Sequence, residues 1–318
     1  MIKIEEILEK AGAAGASDVH LTVGSAPRMR VNGSLVSMPY DILSPEDTME
    51  AAKKVMSREQ MEIFNQRGEY DMSFALGETG RYRVNVFRQQ GAAALAFRLV
   101  ATKVPSPEEL GVPASIIELS QRKRGLVLVT GPTGSGKSTT LAAVIDRVNQ
   151  SRDAHIITLE DPIEYLHPHK MSMVNQREIG IDTQSYADAL RAALREDPDV
   201  ILVGEMRDYE TISVAVTAAE TGHLVLSTLH TIGAASTVDR VIDVFPPHQQ
   251  QQIRVQLSNV LEAIISQQLI PRADGKGRVA AFEVLHANTA IRNLIREGKS
   301  HQIANIMQTN RMMPLCSW

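Results

Sequence analysis

The chain has 318 residues, of which 43% are hydrophobic and 22% charged, as in soluble globular proteins of one or two domains. Its net charge of −4 and its lack of a long basic run argue against a protein whose main ligand is nucleic acid. The single cysteine, Cys316, excludes an internal disulfide and a Cys₄ zinc module. Neither an apolar signal core nor a run of about 18 apolar residues is present, so we expect a cytoplasmic protein.

Residues 1–100 predict a small α+β domain. Helical patterns occupy residues 2–11 and 45–66, and the second opens at Ser44-Pro45 with acidic residues behind it. Between and after them lie alternating segments that predict an antiparallel sheet: 18–23, a hairpin over 27–38 turned at Asn32-Gly33, then 71–76, 81–89 and 91–100.

Residues 101–113 contain three prolines and one glycine, which predicts a linker. The pattern changes in residues 114–318, where short apolar segments alternate with helical ones. Four of the apolar segments are GLVLVTG, AHIITLE, DVILVGE and HLVLSTLH. This alternation predicts an α/β domain with a mainly parallel sheet covered by helices.

The segment GPTGSGKST fits the phosphate-binding pattern G-x-x-x-x-G-K-[ST] and lies between a predicted strand and a predicted helix. Glycines allow backbone N–H groups to surround phosphate oxygens, and the start of the helix adds partial positive charge. We predict that Lys137 binds the β- and γ-phosphates of a nucleotide and that Ser138 binds Mg²⁺. The nucleotide-binding residues predicted here are Gly131, Pro132, Thr133, Gly134, Ser135, Gly136, Lys137, Ser138 and Thr139.

The segment AHIITLEDPIE ends a predicted strand with three carboxylates, Glu160, Asp161 and Glu164. The carboxyl ends of strands in open α/β sheets are where ligands bind, so these groups are candidates to hold Mg²⁺ through water or to orient the attacking water. The alternative is a turn or helix cap formed by Asp161 before Pro162.

Two further strands end in polar residues. Glu205 follows Gly204 in DVILVGEMRD, and by itself this is weak evidence for a metal-supporting carboxylate. His230 ends LVLSTLHT, and either a structural role or sensing of the γ-phosphate is compatible with the pattern. His167 and His169 have the spacing of a metal pair but no third ligand nearby, and we interpret them as part of a solvated loop.

Together, GPTGSGKST, ITLEDPIE, ILVGEMRD and STLHT resemble the P-loop, Asp box, Walker B and His box of the secretion-type ATPases. AIRNLIREGK at 290–299 and DVHLTVGSAPRMRVNG near the start are similar to the pilus-retraction subgroup, the PilT-type twitching-motility ATPases. The resemblance covers essentially residues 1–310. By itself, AIRNLIRE has the pattern of any surface helix, with an apolar stripe opposite a polar face that includes Arg292; the resemblance favours contact with a partner.

The resemblance implies a PAS-like N-terminal domain, a RecA-like ATPase domain and a homo-hexameric ring, with ATP between the two domains and completed by the neighbouring subunit. It further implies that Glu160 acts as the general base or positions the water, that Glu205 supports Mg²⁺ through water, and that His230 links the nucleotide state to domain motion. The implied activity is Mg²⁺-dependent ATP hydrolysis that drives pilus retraction. The implied partner is a pilus platform protein at the cytoplasmic side of the inner membrane, with neither nucleic acid nor zinc.

Three arginines of the first domain match the family's pattern. Alternation places Arg81 and Arg83 on one face of a strand, and Arg98 on the following strand is expected to join it. Without the resemblance, we would interpret them as a solvated face paired with nearby carboxylates. The resemblance implies instead that they reach the γ-phosphate bound by a neighbouring subunit.

The last residues differ from the family. Beyond residues 306–309 the chain ends in NRMMPLCSW, which has the appearance of a truncated or frameshifted tail. We expect 311–318 to be poorly ordered, since they have no periodic apolar pattern.

Three rival functions remain open. The first is an assembly ATPase, which the absence of a tetracysteine insertion disfavours. The others are a RecA-like nucleic-acid motor and a nucleotide-dependent subunit that does not hydrolyse ATP.

Overall fold

The computed structural model describes residues 3–31, 33–76, 80–100, 103–273 and 277–309. Contacts divide the chain into two compact units, Met1–Thr102 and Lys103–Trp318. The predictions for the tail and for Asn32 fall outside the described residues. Within these ranges, no helix has the length and apolar character needed to cross a membrane.

The first unit is an antiparallel sheet packed against helices, as predicted. Its six strands have the order β3-β2-β1-β6-β5-β4. The strands are β1 (Asp18–Leu21), β2 (Arg28–Val31), β3 (Ser34–Ser37), β4 (Glu69–Leu76), β5 (Gly80–Gln89) and β6 (Ala92–Val100), and the helices are α1 (Ile4–Ala13), α2 (Pro45–Val55) and α3 (Arg58–Arg67). In β5 the side chains of Tyr82, Val84 and Val86 are buried, which confirms the predicted alternation.

The single helix predicted over 45–66 is two helices. Met56, after α2, has extended backbone, and Ser57 is the N-cap of α3, where it forms a reciprocal capping box. The Ser57 hydroxyl accepts from the Gln60 N–H, while the Gln60 side-chain oxygen accepts from the Ser57 N–H. Such a box satisfies donors that a new helix start leaves unpaired, and it was overlooked because the apolar periodicity continues through the break.

The second unit contains a seven-stranded sheet of order β13-β12-β7-β11-β10-β8-β9. The strands are β7 (Gly125–Thr130), β8 (His155–Glu160), β9 (Met173–Glu178), β10 (Val200–Val203), β11 (Leu224–Leu229), β12 (Leu261–Pro271) and β13 (Arg278–His286). All neighbours are parallel except β12 and β13. The prediction of a mainly parallel sheet is confirmed, with three strands beyond the four predicted ones.

Helices cover both faces of this sheet. They are α4 (Pro107–Leu110), α5 (Ala114–Ile117), α6 (Lys137–Ser151), α7 (Tyr186–Ala193), α8 (Tyr209–Glu220), α9 (Ala234–Asp243), α10 (Pro247–Val260), α11 (Thr289–Arg296) and α12 (Ile303–Thr309), with 3₁₀ turns at Glu118–Gln121 and Ser300–Gln302. Alternate strand residues pack into separate cores: Leu128 lies in one core and Val129 in the other. Burial on both faces is why these strands are continuous apolar runs.

Helix α11 carries the AIRNLIRE segment, and its predicted apolar stripe is confirmed by the burial of Ile291 and Ile295. Arg292, predicted on the polar face, is instead directed inward. Its guanidinium donates to the carbonyls of Ala287, Ser258 and Asn259 at 2.9, 2.9 and 2.7 Å, and to Glu262 Oε1 at 2.9 Å. The last turn of a helix leaves carbonyls without intrahelical partners, so this side chain caps α10.

We expect Arg292→Ala to lower the free energy of unfolding by about 2–3 kcal/mol, because three carbonyls lose this donor and Glu262 is left with its longer contact to Arg122 at 3.4 Å. Arg296→Ala on the same helix is the control. Arg296 is exposed, and among the described residues its side chain makes only long contacts of 3.4 Å to two asparagine side chains, so its loss should cost about 0.5 kcal/mol or less. Urea denaturation of both variants measures the difference, and equal costs would contradict the capping role.

Candidate active site

The phosphate-binding loop joins β7 to α6 and lies against β12. Gly131 has φ 145°, and a Cβ atom there would be 2.2 Å from the Gln267 carbonyl oxygen. Gly136, the N-cap of α6, has φ 86°, and a Cβ there would be 2.9 Å from Gln267 Nε2. A side chain at Gly131 would collide with the backbone of β12, and at Gly136 the positive φ itself favours glycine. Gly131 thus serves the close approach of two chain segments as well as phosphate access.

Lys137 begins α6 and is 8% exposed. Its ammonium donates to the carbonyls of Gly131 and Pro132 at 2.9 and 3.0 Å. Burial lowers the pKa of Lys137, and the carboxylates of Glu164 and Glu205 oppose that shift. The charge is thus held inside the loop, at the helix end that favours anions.

Glu160 is the last residue of β8, and its carboxyl group is held by its neighbours. Its Oε1 atom accepts from Thr158 Oγ1 at 2.6 Å and from Gln176 Nε2 at 3.1 Å. Burial raises the pKa of this carboxyl, while these hydrogen bonds oppose the rise. A carboxylate with a raised pKa at a cleft is a candidate general base.

Glu205 follows β10 and makes two contacts to basic groups. Arg207 Nε lies 2.8 Å from Oε1, and His230 Nε2 lies 3.3 Å from Oε2. Its side chain is 19% exposed, whereas that of Arg207 is 71% exposed. Glu205 and His230, each predicted separately as a site residue, are therefore in contact in the structure, and Arg207 joins them.

Gly204 separates β10 from Glu205. A Cβ there would lie 2.8 Å from Tyr186 Oη and 3.1 Å from the Leu159 carbonyl oxygen. The Gly204 N–H donates to that same carbonyl at 2.7 Å, and Thr228 Oγ1 donates to the Gly204 carbonyl at 2.6 Å. Glycine is required at position 204 because the ends of β8, β10 and β11 pack so closely around this peptide that a side chain has no room.

These groups line one cavity of about 560 Å³ in the second unit. Of the predicted site residues, the cavity lining includes Thr133, Gly134, Gly136, Lys137, Ser138, Thr139, Glu160, Asp161, Glu164, Glu205 and His230. Gly131, Pro132 and Ser135 belong to the loop but are absent from that lining. Among the residues that the structure describes, no group of three or more His, Cys, Asp or Glu side chains is placed to hold a metal.

The interpretation of His167 and His169 as a solvated loop is wrong for His167, which is 7% exposed. Burial lowers its pKa to about 4, so the ring is neutral at pH 7. Its backbone N–H donates to Gln176 Oε1 at 2.8 Å. His169, exposed, accepts from the Val174 N–H at 3.0 Å through Nδ1.

Several cavity residues were missed from the sequence. Tyr165 contacts Thr139 through their hydroxyl groups at 3.0 Å, and Tyr186 and Arg207 also line the cavity. Gln176, which contacts Glu160 without lining the cavity, was missed because β9 is mostly polar and was not recognised as a strand. The sequence did contain a signal for Arg207, because this residue, like Glu205, lies a few residues after the end of a predicted strand.

In the first unit, Arg83 and Arg98 face one another in the register of β5 and β6. Arg83 lies 3.7 Å from Asp71, and Arg98 lies 2.9 Å from Asp18. Like charges placed directly opposite each other repel, and these two carboxylates offset that repulsion. The arginines share one face of the sheet, as predicted. The pairing of Arg83 with Asp71 is also one that the alternative, a solvated face, predicts.

We expect Gly204→Ala to destabilise the protein by about 1–3 kcal/mol, because the added methyl group overpacks the junction of strand ends. Tyr186→Phe removes the nearest atom, the phenolic oxygen. Combining the two substitutions should therefore recover a substantial part of the loss, a non-additivity that a double-mutant cycle of thermal unfolding measures. Fully additive costs would show that Tyr186 is not the obstacle.

The chain is similar in sequence to known proteins over most of its length. The family model described as "Type II/IV secretion system protein" matches residues 1–314. The chain is 52% identical over 285 residues to a twitching motility protein of Neisseria gonorrhoeae, covering 90% of this chain and 76% of that one. It is 49% identical over 306 residues to the type IV pilus retraction ATPase PilT of Pseudomonas aeruginosa, covering 96% and 89%.

Solved structures give the same result. The crystal structure of the pilus retraction motor PilT with bound ADP matches with a TM-score of 0.92 and 54% identity, covering 97% of this chain and 90% of that one. The ATPase DotB of Legionella pneumophila matches with a TM-score of 0.78 and 30% identity, covering 96% and 86%. The similarity includes the N-terminal unit, in agreement with the predicted PAS-like and RecA-like domains. The chain belongs to the type II/IV secretion system protein family and, within it, to the PilT-type pilus-retraction ATPases.

Proposed function

We propose that this chain is the subunit of a motor that hydrolyses ATP to power retraction of a type IV pilus. The observation that carries the proposal is the cavity in which a P-loop lysine and a partly buried glutamate meet at the carboxyl edge of one parallel sheet. The similarity to pilus-retraction ATPases over nearly the whole chain supports the choice of pilus movement as the work performed.

In the proposed mechanism, the loop from Gly131 to Thr139 binds the phosphates of ATP. Lys137 exchanges its two carbonyl partners for β- and γ-phosphate oxygens, to which it contributes a positive charge. Glu160 accepts a proton from the attacking water, or orients that water. Its hydrogen bonds keep the carboxyl in one orientation, and its raised pKa makes it a better proton acceptor than an exposed glutamate.

The cavity also suits Mg²⁺. The Ser138 hydroxyl and the carboxylates that line the same space are oxygen donors, which Mg²⁺ prefers, and this ion commonly uses one or two protein groups alongside phosphates and water. Ser138 would hold the ion directly. Glu205 is already paired with Arg207 and His230, which favours a contact through water. Mg²⁺ would neutralise charge on the phosphate oxygens, and His230 would respond to that charge through Glu205.

At least one of Arg81, Arg83 and Arg98 is proposed to act in a neighbouring subunit of a hexamer, where it stabilises charge on the γ-phosphoryl group. The ion pairs of Arg83 and Arg98 involve side chains that are 45% and 73% exposed. The Arg83–Asp71 pair is exposed on both sides, and such pairs contribute about 0–1 kcal/mol, so exchanging Asp71 for a phosphate costs little. The Asp18 side chain is only 14% exposed, but it keeps the hydrogen bond from the Ser17 hydroxyl at 2.7 Å when Arg98 leaves it. The motor is proposed to work at the cytoplasmic face of the inner membrane, against a pilus platform protein.

Glu160→Gln tests the catalytic carboxylate. It keeps the size of the side chain and removes its charge, so steady-state hydrolysis should fall by at least about a hundredfold while ATP binding persists. Glu164→Gln is the matched comparison, because Glu164 lines the same cavity but is exposed, and its loss should cost less than about tenfold. If the Glu160 variant keeps turnover within a few-fold of the unmodified protein, the proposed role of Glu160 is wrong. Hydrolysis that appears only with added DNA would favour a nucleic-acid motor.

The role of the arginines in a neighbouring subunit is tested by mixing subunits. Glu160→Gln subunits, and Arg→Ala subunits that lack an arginine acting in trans, are each expected to be nearly inactive alone, since such an arginine contributes about 10³–10⁵ in rate. Mixed rings would contain interfaces with both groups intact, so part of the activity should return. If mass spectrometry demonstrates mixed rings and no activity returns for any of the three arginines, they do not act in trans.

A further inference from the structure

Gln176 is a residue of β9 that uses its side-chain amide on three partners. Its Nε2 atom donates to Glu160 Oε1 at 3.1 Å and to the Tyr165 carbonyl at 2.8 Å. Its Oε1 atom accepts from the His167 N–H at 2.8 Å. Both amide hydrogens are therefore committed, one to the carboxyl group and one to the segment that follows it.

The parallel register explains how this side chain reaches Glu160. Thr158 of β8 is the register partner of Gln176, and Thr158 and Glu160 lie two residues apart on the same face of their strand. Thr158 and Gln176 consequently approach the Glu160 carboxyl together, and both donate to the same oxygen, Oε1. A glutamate carboxyl rotates easily about its last torsion, and two donors on one oxygen restrict that rotation.

The same amide holds the segment of residues 161–168 against β9. This segment carries Asp161 and Glu164, and it is joined to the phosphate-binding helix through the hydroxyl contact between Tyr165 and Thr139 at 3.0 Å. Gln176 thus connects the proposed base to the strand on one side and, through residues 161–168, to the nucleotide-binding helix on the other.

We infer that Gln176 is a positioning residue for hydrolysis: together with Thr158, it fixes the Glu160 carboxyl so that the second oxygen faces the attacking water. This inference rests on the proposed role of Glu160. No side chain of β9 lines the cavity. By this inference, β9 nevertheless contributes to catalysis, because its Gln176 positions Glu160.

The first test compares three single variants. Gln176→Met keeps the length of the side chain but removes all three hydrogen bonds, and a displaced base should lower kcat by about 10–100-fold. Thr158→Val removes only one donor to Glu160 and should lower kcat by about tenfold. The control is Asn175→Ala, an exposed residue on the opposite face of β9, which should leave kcat unchanged. KM for ATP should stay within about threefold throughout, because the phosphate-binding loop is untouched. If Gln176→Met fails to fold, Thr158→Val carries the test.

The decisive test is a double-mutant cycle measured by single-turnover hydrolysis. A positioning residue has nothing left to position once the carboxylate is gone, so Gln176→Met, or Thr158→Val, should lower the residual rate of Glu160→Gln by less than about twofold. If the losses multiply, or if the single variants keep their kcat, the inference is overturned. A Glu160→Gln variant with near-normal turnover would instead show that the proposed base is wrong, which is a separate outcome.

Discussion

The parallel direction of six neighbouring strands is the constraint on which the site depends. Because β7, β8, β10 and β11 run the same way, the segments that follow them emerge at one edge of the sheet. The P-loop, Glu160, Glu205 and His230 therefore share a cavity although about 100 residues separate the first from the last. The core on each sheet face keeps these strand ends in register, and so determines the spacing of the proposed catalytic groups.

Close packing of backbone at this edge leaves room only for glycine at particular positions. Gly131 and Gly136 lie against Gln267 of β12, and Gly204 lies against the end of β8. The P-loop is thus held from outside by a strand that follows it by more than 100 residues in the sequence. Thr140 of the loop's helix adds to this contact by donating to Gln267 Oε1 at 2.8 Å. We regard the resulting rigidity as the physical basis for a preorganised phosphate site.

Electrostatics distinguishes the two proposed carboxylates. Glu160 has neutral donors as its direct partners, and burial raises its pKa. Glu205 lies between an arginine and a histidine. A buried carboxylate with neutral partners is suited to accept a proton, whereas one that already contacts an arginine guanidinium is suited to support a metal ion through water. One sheet edge thereby presents two acidic groups with different proposed tasks.

The sequence by itself determined the mainly parallel sheet, the glycine-rich loop between β7 and α6 and the order of the four boxes, because apolar runs and glycine spacing are local signals. It also determined the alternation of β5 that places Arg81 and Arg83 together. Only the tertiary structure showed that Arg292 caps α10, that His167 is buried, and that Gln176 reaches Glu160. Each of these depends on which segments meet after folding, and a polar residue carries no local sign of the partner that will satisfy it. The sequence did contain a signal for the break between α2 and α3, the capping box at Ser57. It was overlooked because the apolar periodicity continues across the break.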